Sequence, residues 1–499
     1  SPYFQPPPLE YPFLAQMASL RAGLLVVLFV AAAAASEGCE AEDEALLQVT
    51  KVDTMAGSGV TPKTWKSPRD LAYVPPPQTV KLSSFLNISI YSAVPSFGRD
   101  GNFIALLQDG DEGSHTRNLR RHLSENSLFC SDDSDDNGTF RSQVQMHGMG
   151  KPILVCEWPE KDAQLETYQV RLENSKGEKL GTIVAQHKPQ LLKDQDYKVV
   201  ACVRDVFEDQ TPDGPNHGTE QFSGPFKQLV EWLEFSSLHG VDHFFVYTFQ
   251  GTEAVAEDVL QPYLKSGLAT RIHFQHYPAS TTRRQLNMAN DCLYRAKSHA
   301  KWLMPTIDVD EYFHLNLAEL FPQTKVPVDY LNSVWDRIVL KNNYELNQVS
   351  SVYFNKIRFA RAPLDQLDIS SKWREKGVER NTKYVANVNQ VHELKTHKSS
   401  SARPNTVRLR VLQQLGFMGH YRVDQHHRVN YNETWFMKDE RASIEDPALL
   451  SDVPLIEERI RKRFGQDPKV LLKSLVARRP PSTYEVAQLL ITSPATAGA

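Results

Sequence analysis

Residues 301–313 read KWLMPTIDVDEYF. The apolar part, residues 302–307, predicts a short buried strand, and carboxylates follow it directly. Because the side chains of a strand alternate between faces, we expect Asp308 and Asp310 to project to one side while Val309 packs inward. Mg²⁺ and Mn²⁺ prefer such oxygen ligands and also bind phosphate oxygens, so the stretch predicts a cation site. The alternative is that Asp310 and Glu311 only begin the next helix as its acidic cap.

The N-terminal region and the sequons point to the secretory pathway. Residues 22–35 form an uninterrupted apolar run preceded by Arg21, as in a cleaved signal or a short membrane anchor. Sequons at Asn87, Asn137 and Asn432 are typical of the same route. The net charge of -4 does not suggest a nucleic-acid-binding surface.

The five cysteines favour disulfides over a structural zinc site. None of them forms a Cys-x-x-Cys pair, the spacing that such zinc sites use. Cys130–Cys156 and Cys202–Cys292 are candidate disulfides, and the spacing leaves the connectivity open.

Composition and periodicity divide the chain into five regions. They are an N-terminal extension with the signal or anchor (1–36), a stalk or linker (37–78), a β-rich accessory domain (79–196), a catalytic domain (197–440) and a helical tail with a disordered end (441–499). In the accessory domain, alternating apolar and polar residues predict strands at 86–93, 169–173 and 181–186, which indicates a small β-sandwich-like domain.

From residue 197 the pattern changes to alternating strands and helices. Strands are predicted at 198–203, 243–248, 269–275 and 302–307, and helices at 225–238, 252–266 and 283–299. This order indicates an α/β fold with a mainly parallel, helix-covered sheet. Ligands of such sheets bind beyond the carboxyl ends of the strands, where Asp308 and Asp310 are expected.

Candidate partners for these carboxylates come from distant parts of the chain. Two carboxylates leave cation positions open for an imidazole, and His397 and His420 are the candidates. For either histidine the alternative is an ordinary surface or hydrogen-bonded side chain. Arg204 follows the first predicted strand and would contact a phosphate or a base, or else form a salt bridge.

Several motifs in order resemble glycosyltransferase family 92, whose members include plant β-1,4-galactan synthases and animal galactosyltransferases. They are EW at 231–232, LHGVDHFFVY at 238–247, NDCL at 290–293, KW at 301–302 and IDVDEY at 307–312. The resemblance extends over residues 80–429, with later matches at Thr396-His397-Lys398 and Gly419-His420-Tyr421-Arg422.

The resemblance implies a GT-A-like fold and an inverting transfer of a hexose, most often galactose, from a UDP-sugar to a glycan acceptor. It also implies Mn²⁺ or Mg²⁺, and a lumenal domain on a Golgi membrane, single-pass and type II, or secretion if the apolar segment is cleaved. The acceptor would be a polysaccharide, glycoprotein or glycolipid. Carried over to this chain, the metal ligands are Asp308, Asp310, His420 and His397, and the donor contacts are Arg204, Gln285, Asp291 and Asp308.

Inversion requires a carboxylate on the acceptor side as general base. Glu311 is the candidate, and Glu375, Glu393 and Asp424 stay open as alternatives. Two other functions remain possible. One is an inactive carbohydrate-binding protein on the same fold, and the other is a glycoside hydrolase, which needs two facing carboxylates and no cation.

Overall fold

The structure, a computed structural model, describes residues 71–74, 77–83, 86–96, 102–108, 114–134, 140–147, 153–159, 167–186, 197–203, 225–249, 253–274, 281–297, 299–305, 307–360, 362–363, 365–421 and 443–477. All of them lie in one compact unit, Ser67–Ala499. The predictions for the apolar segment, the stalk up to residue 70, Arg204, Asp424, two of the sequons and the C-terminal end fall outside the described residues.

The N-terminal part of this unit consists mainly of antiparallel strands. Its elements are β1 (Leu71–Val74), β2 (Gln78–Ser83), β3 (Leu86–Ser96), β4 (Phe103–Gln108), α1 (Ser114–Glu125), β5 (Phe129–Asp132), β6 (Arg141–Gln143), β7 (Gln145–His147), β8 (Ile153–Glu157), β9 (Thr167–Glu173) and β10 (Lys179–Gln186). Strands β2 to β10 form two sheets, in the orders β2-β3-β4-β8-β7 and β10-β9-β5-β6. Both sheets contribute to one hydrophobic core, which includes Ile88 and Val170. The Cys130–Cys156 disulfide joins β5 to β8 across this core.

The next part alternates strands and helices, as the sequence predicts. Its elements are β11 (Tyr197–Val203), α2 (Pro225–Leu238), β12 (His243–Phe249), α3 (Glu253–Lys265), β13 (Ala269–Phe274), α4 (Thr281–Ala296) and β14 (Ala300–Met304). The strands are parallel and lie in the order β13-β12-β11-β14, and β1 pairs with β13 at the edge. Strand order therefore reverses between β11 and β14, and a cleft for ligands is expected at their carboxyl ends.

Both faces of this sheet are covered. Val199, Ala201 and Val203 of β11 belong to the core that α2 completes. Val200 and Cys202 point to the other face and pack with residues of α4. This alternation is the period-two pattern of a strand buried on both sides. The Cys202–Cys292 disulfide links β11 to α4 within the second core.

The remaining elements turn the parallel sheet into a mixed one. They are β15 (Glu311–Leu315), α5 (Leu317–Leu320), α6 (Leu331–Lys341), β16 (Val349–Phe359), β17 (Trp373–Glu375), β18 (Glu379–Asn387), β19 (Val391–Leu394), β20 (Ser399–Ala402), β21 (Val407–Arg410), β22 (Gly416–Tyr421), β23 (Ser443–Glu445), α7 (Val453–Phe464) and α8 (Pro468–Ala477). The sheet continues beyond β14, which pairs antiparallel with β18, and β18 in turn pairs antiparallel with β16. The α/β character is confirmed, but the large sheet is mixed rather than mainly parallel.

The structure corrects the prediction for the stretch around Asp308. The strand ends at Met304 rather than at residue 307, since Pro305 has no backbone N–H with which to continue the ladder. Asp308 and Asp310 therefore lie in a turn, in which the Glu311 backbone N–H donates to the Asp308 carbonyl at 3.0 Å. The alternative of a helix cap is also wrong, because β15 begins at Glu311.

The C-terminal helices α7 and α8 pack against α2. Ile456, Ile460 and Leu472 belong to the same core as β11 and α2. Arg459 and Arg463 contact the buried carboxylate of Glu234 on α2. Within the part of the chain described here, no helix is long and apolar enough to cross a membrane.

Candidate active site

Strand register brings four charged residues together beside the turn that carries Asp308 and Asp310. Glu311 of β15 lies opposite His420 of β22 in their antiparallel pairing. Lys356 of β16 lies opposite Glu379 of β18. Because β22 also pairs with β16, these two pairs are neighbours. Residues separated by more than a hundred positions thus converge on one end of the sheet.

A continuous chain of alternating charge, which we call the charge network, runs through these four side chains and Lys383 and ends at Asp308 and Asp310. Its N···O distances are 2.8 Å for Asp308–Lys383, 2.9 Å for Lys383–Glu311, 2.8 Å for Glu311–Lys356, 3.3 Å for Lys356–Glu379, 3.0 Å for Glu379–His420 and 3.5 Å for His420–Asp310. The two aspartates stand at its ends and are its most exposed members, with 30% and 20% of their side-chain surface accessible. The network therefore begins and ends at the surface and is buried between.

Backbone contacts fix the turn itself. The Trp232 indole N–H of α2 donates to the Glu311 carbonyl at 3.0 Å. The Tyr421 backbone N–H of β22 donates to the Asp310 carbonyl at 2.8 Å. The turn is thus held from both sides, which limits how far Asp310 can move.

Glu311 is the fully buried centre of the network. Its carboxylate contacts Lys356 and Lys383 and accepts the Asp308 backbone N–H at 2.9 Å. Burial alone raises the pKa of this carboxyl, but the charges of the two lysines outweigh it and lower the pKa to about 2. A general base works best with a pKa near the operating pH and within reach of the acceptor. The geometry therefore does not favour the prediction that Glu311 is the base.

His420 is buried between two carboxylates. Nδ1 lies 3.0 Å from Glu379 Oε1, and Nε2 lies 3.5 Å from Asp310 Oδ2. Burial lowers the pKa of the imidazole, but the charge of Asp310 and hydrogen bonds to both carboxylates outweigh burial and raise it above its ordinary value. Burial likewise raises the pKa of Glu379, but His420 and Lys356 reverse the effect and hold it well below its usual range.

Two of the four predicted metal ligands are adjacent. Asp310 and His420 supply an oxygen and a nitrogen 3.5 Å apart, close to the separation of about 3 Å expected for neighbouring ligands of one small divalent cation. Glu379 holds the other imidazole nitrogen, as carboxylates commonly do for histidine ligands. This pair fits two positions of a cation site. In the described ranges no set of three or more His, Cys, Asp or Glu side chains converges on a metal position.

The other two predicted ligands are Asp308, at one end of the network, and His397, outside it. Asp308 contacts Lys383, so a cation would share this carboxylate with an ammonium group. His397 lies between β19 and β20, and its Nδ1 is 3.3 Å from the Thr382 carbonyl. Burial, and then the charge of Lys383, lower the pKa of His397, which keeps the ring neutral and able to bind a metal.

The predicted donor contacts are distributed differently. Asp291 is fully buried on α4, where it accepts hydrogen bonds from Ser92 at 2.5 Å, Tyr247 at 2.7 Å and Arg295 at 2.6 Å. These contacts join β3, β12 and α4 and give Asp291 a structural role. Gln285 is half-buried on α4. For neither residue does a contact test donor binding, so both assignments stay predictions.

Sequence reasoning missed Lys356, Lys383 and Glu379. Strand periodicity would not have found Lys356. A β-bulge between Asn355 and Lys356 shifts the alternation of faces, so that Ile357 and Phe359 follow Val352 and Phe354 into the same core.

Comparisons with known proteins bear on the same region. No curated protein matches the chain. One similar solved structure is that of HddC from Yersinia pseudotuberculosis, complexed with GMP-PN, with 12% identity over 49% of this chain and 100% of that chain. Its TM-score of 0.24 is too low to support a statement about the fold.

The model of glycosyltransferase family 92 matches residues 221–447, which include the whole charge network. A match to this family suggests glycosyl transfer. Over residues 221–447, it supports the family that the sequence resembles.

Proposed function

We propose that this protein is a metal-dependent, inverting glycosyltransferase that moves a hexose, most often galactose, from a UDP-sugar to a glycan acceptor in the secretory pathway. One observation carries the proposal. Within the family 92 domain, Asp308 and Asp310 follow β14 where the strand order reverses, and Asp310 lies beside His420. Acidic and imidazole side chains at this position suit a cation and a diphosphate.

The proposed cation, Mn²⁺ or Mg²⁺, would be held first by Asp310 and His420, with Asp308 and, more weakly, His397 as further ligands. When bound, it would neutralise the charge that develops on the departing diphosphate. Glu379 keeps the imidazole oriented, and the backbone contacts of the turn keep Asp310 in place. The general base is a separate carboxylate, and Glu375 and Glu393 remain candidates within the described residues.

The parallel strands support a GT-A-like arrangement for the donor. Nucleotides bind at the carboxyl ends of such strands, at the point where the strand order reverses. The reversal lies between β11 and β14. Arg204 directly follows β11 in the sequence and is proposed to contact the diphosphate, and Gln285 is proposed as a further donor contact.

Two features support a secretory compartment. Disulfides such as Cys130–Cys156 and Cys202–Cys292 persist in oxidising compartments and are rare in the cytosol. Asn87, the first residue of a sequon, is exposed on β3 and accessible to a glycan. We therefore propose a Golgi lumenal protein, anchored through residues 22–35 or secreted if that segment is cleaved.

A second candidate function has a specific observation in its favour. Both aspartates already contact a basic group of the protein, Asp308 with Lys383 and Asp310 with His420. A site whose charges are balanced without a cation is also what an inactive carbohydrate-binding protein on the same fold would show.

The test is a donor screen that measures UDP release from UDP-galactose, UDP-glucose and UDP-N-acetylglucosamine, with oligosaccharide acceptors. We expect release with UDP-galactose in the presence of Mn²⁺, and loss of that activity on chelation. As a matched control, Asp365→Asn changes an exposed aspartate outside the network and should leave the rate unchanged. Glycan binding without turnover of any donor would support the inactive protein, and hydrolysis insensitive to chelation would support a glycosidase.

A further inference from the structure

The interior of the charge network has no direct place in the proposed chemistry. Lys383, Glu311 and Lys356 are 1%, 1% and 4% exposed, and they lie between the two aspartates. Glu379 completes this inner section, with 12% of its side-chain surface accessible. None of the four was assigned to the metal, although each is one or two contacts from a proposed ligand.

Stability alone does not explain these four charges, of which three are buried and one is partly buried. Moving an ion out of water costs several kcal/mol even after the protein relaxes, and apolar residues of similar volume often stabilise a fold as well or better. What a buried ionic chain provides instead is fixed geometry, since each group is held by two opposite charges.

We propose that Lys383, Glu311, Lys356 and Glu379 are positioning residues that preorganise the cation ligands, with Lys383 fixing Asp308 and Glu379 fixing His420. This inference rests on the proposed function, because it concerns the same cation.

The geometry at His420 shows how positioning would work. Nδ1 contacts Glu379 and Nε2 faces Asp310. If the proton on Nδ1 is donated to Glu379, the lone pair of Nε2 would be available to a cation bound beside Asp310. Glu379 is itself held by Arg358, whose Nε donates at 2.8 Å, and by Lys356. Removing either support frees the carboxylate to rotate and the imidazole to change tautomer.

At the other end, Lys383 lies between Asp308 and Glu311 at 2.8 and 2.9 Å. It holds the Asp308 carboxylate at a fixed distance from the centre of the network. Lys356 then connects Glu311 to Glu379, so the positions of Asp308 and His420 are mechanically coupled through buried groups.

The experiment measures Mn²⁺ affinity rather than turnover. The full chain is titrated with MnCl₂, with and without UDP, and free Mn²⁺ is followed by its electron paramagnetic resonance signal. We expect Glu379→Gln and Lys356→Met to weaken Mn²⁺ binding by roughly 10–100-fold, the usual effect of losing a residue that orients a metal ligand. Lys356→Arg, which keeps the charge, should restore part of the affinity.

Arg459→Met is the matched control. It also removes one cationic partner of a buried glutamate, Glu234, but at the contact between α2 and α7. Thermal melting without metal should show a loss of stability in this control while its Mn²⁺ affinity stays that of the wild type. Glu379→Gln preserves the shape of the side chain, and its melting curve establishes that it folds.

The outcomes separate the two claims. Wild-type Mn²⁺ affinity in both folded Glu379→Gln and Lys356→Met would overturn the positioning role while leaving the metal site intact. Failure of the wild-type protein to bind Mn²⁺, with or without UDP, would overturn the metal proposal itself and the positioning role with it.

Discussion

Glu311 shows how the setting of one residue decides its role. In the sequence it is the third acid after a strand, close to the expected chemistry and therefore a natural candidate for the base. In the structure it is fully buried between Lys356 and Lys383, and its pKa of about 2 is too low for efficient proton abstraction. Its charge stabilises two buried ammonium groups instead.

Glu311→Gln should therefore reduce stability severely. Removing one partner of a buried ion pair leaves an uncompensated charge, and we expect a loss of about 3–5 kcal/mol in the free energy of unfolding. Chemical denaturation measures it. Glu319→Gln makes the same change in the half-exposed pair with Lys341 and should cost less than about 1 kcal/mol. A stable Glu311→Gln variant that has lost only turnover would instead restore Glu311 as the base.

At the scale of elements, the C-terminal helices pack into the core that β11 and α2 share. Ile460 of α7 is fully buried in the cluster that contains α2 and β11, whereas Val470 of α8 is 64% exposed. The sequence alone suggests an amphipathic tail, because helical periodicity does not reveal which surface receives the apolar face.

Ile460→Ala should consequently destabilise the protein by about 2–5 kcal/mol, since it leaves a cavity in a packed core. Val470→Ala on α8 is the matched control, with an expected effect within about 0.5 kcal/mol. Denaturation monitored by intrinsic fluorescence compares the two. Equal, small effects would show that α7 contributes nothing to the main core.

Local patterns predicted most of the elements that precede the site. The helix at 225–238 has the predicted bounds, and β11, β12 and β13 differ from prediction by one residue or less at each end. The predicted strand before Asp308 is too long at its end, because the sequence pattern continues past Pro305 to Ile307 while the strand ends at Met304.

The charge network could not be predicted in the same way. It depends on the register of β15, β16, β18 and β22, and long-range pairing leaves no periodic signal in the sequence. The family motifs located Asp308, Asp310 and His420, but not the buried lysines that connect them. Lys356 and Lys383 became visible only through the contacts they make.

For the whole molecule, buried neutral histidines predict sensitivity to mild acid. Burial lowers the pKa of His243, His273 and His314 to about 4 and that of His392 to about 3. These groups stay neutral in the folded state while their unfolded forms take up protons near pH 6.5, so stability falls as the pH decreases from 6.5 towards 4.

We therefore expect the free energy of unfolding to decrease steadily between pH 6.5 and 4, measured by urea denaturation at several pH values. His420 has a raised pKa and opposes this trend, but the pKa values of His147 and His397 are also lowered and add to it. Glu311 contributes only below about pH 4.5. His243→Gln, which can still bond to Thr270, should flatten the slope. A stability that is constant across this range would contradict the assignment of neutral buried histidines.

The central claim is that Asp310, beside His420, takes part in cation-dependent transfer from a UDP-sugar. It is tested most directly by the initial rate of galactose transfer from UDP-galactose at saturating Mn²⁺, for the wild type and for Asp310→Asn. The account predicts a decrease of about 100-fold or more with an unchanged melting temperature, since losing this charge removes several kcal/mol of stabilisation from the transition state. A folded Asp310→Asn variant that transfers galactose within about threefold of the wild-type rate, a difference below 1 kcal/mol, would contradict it.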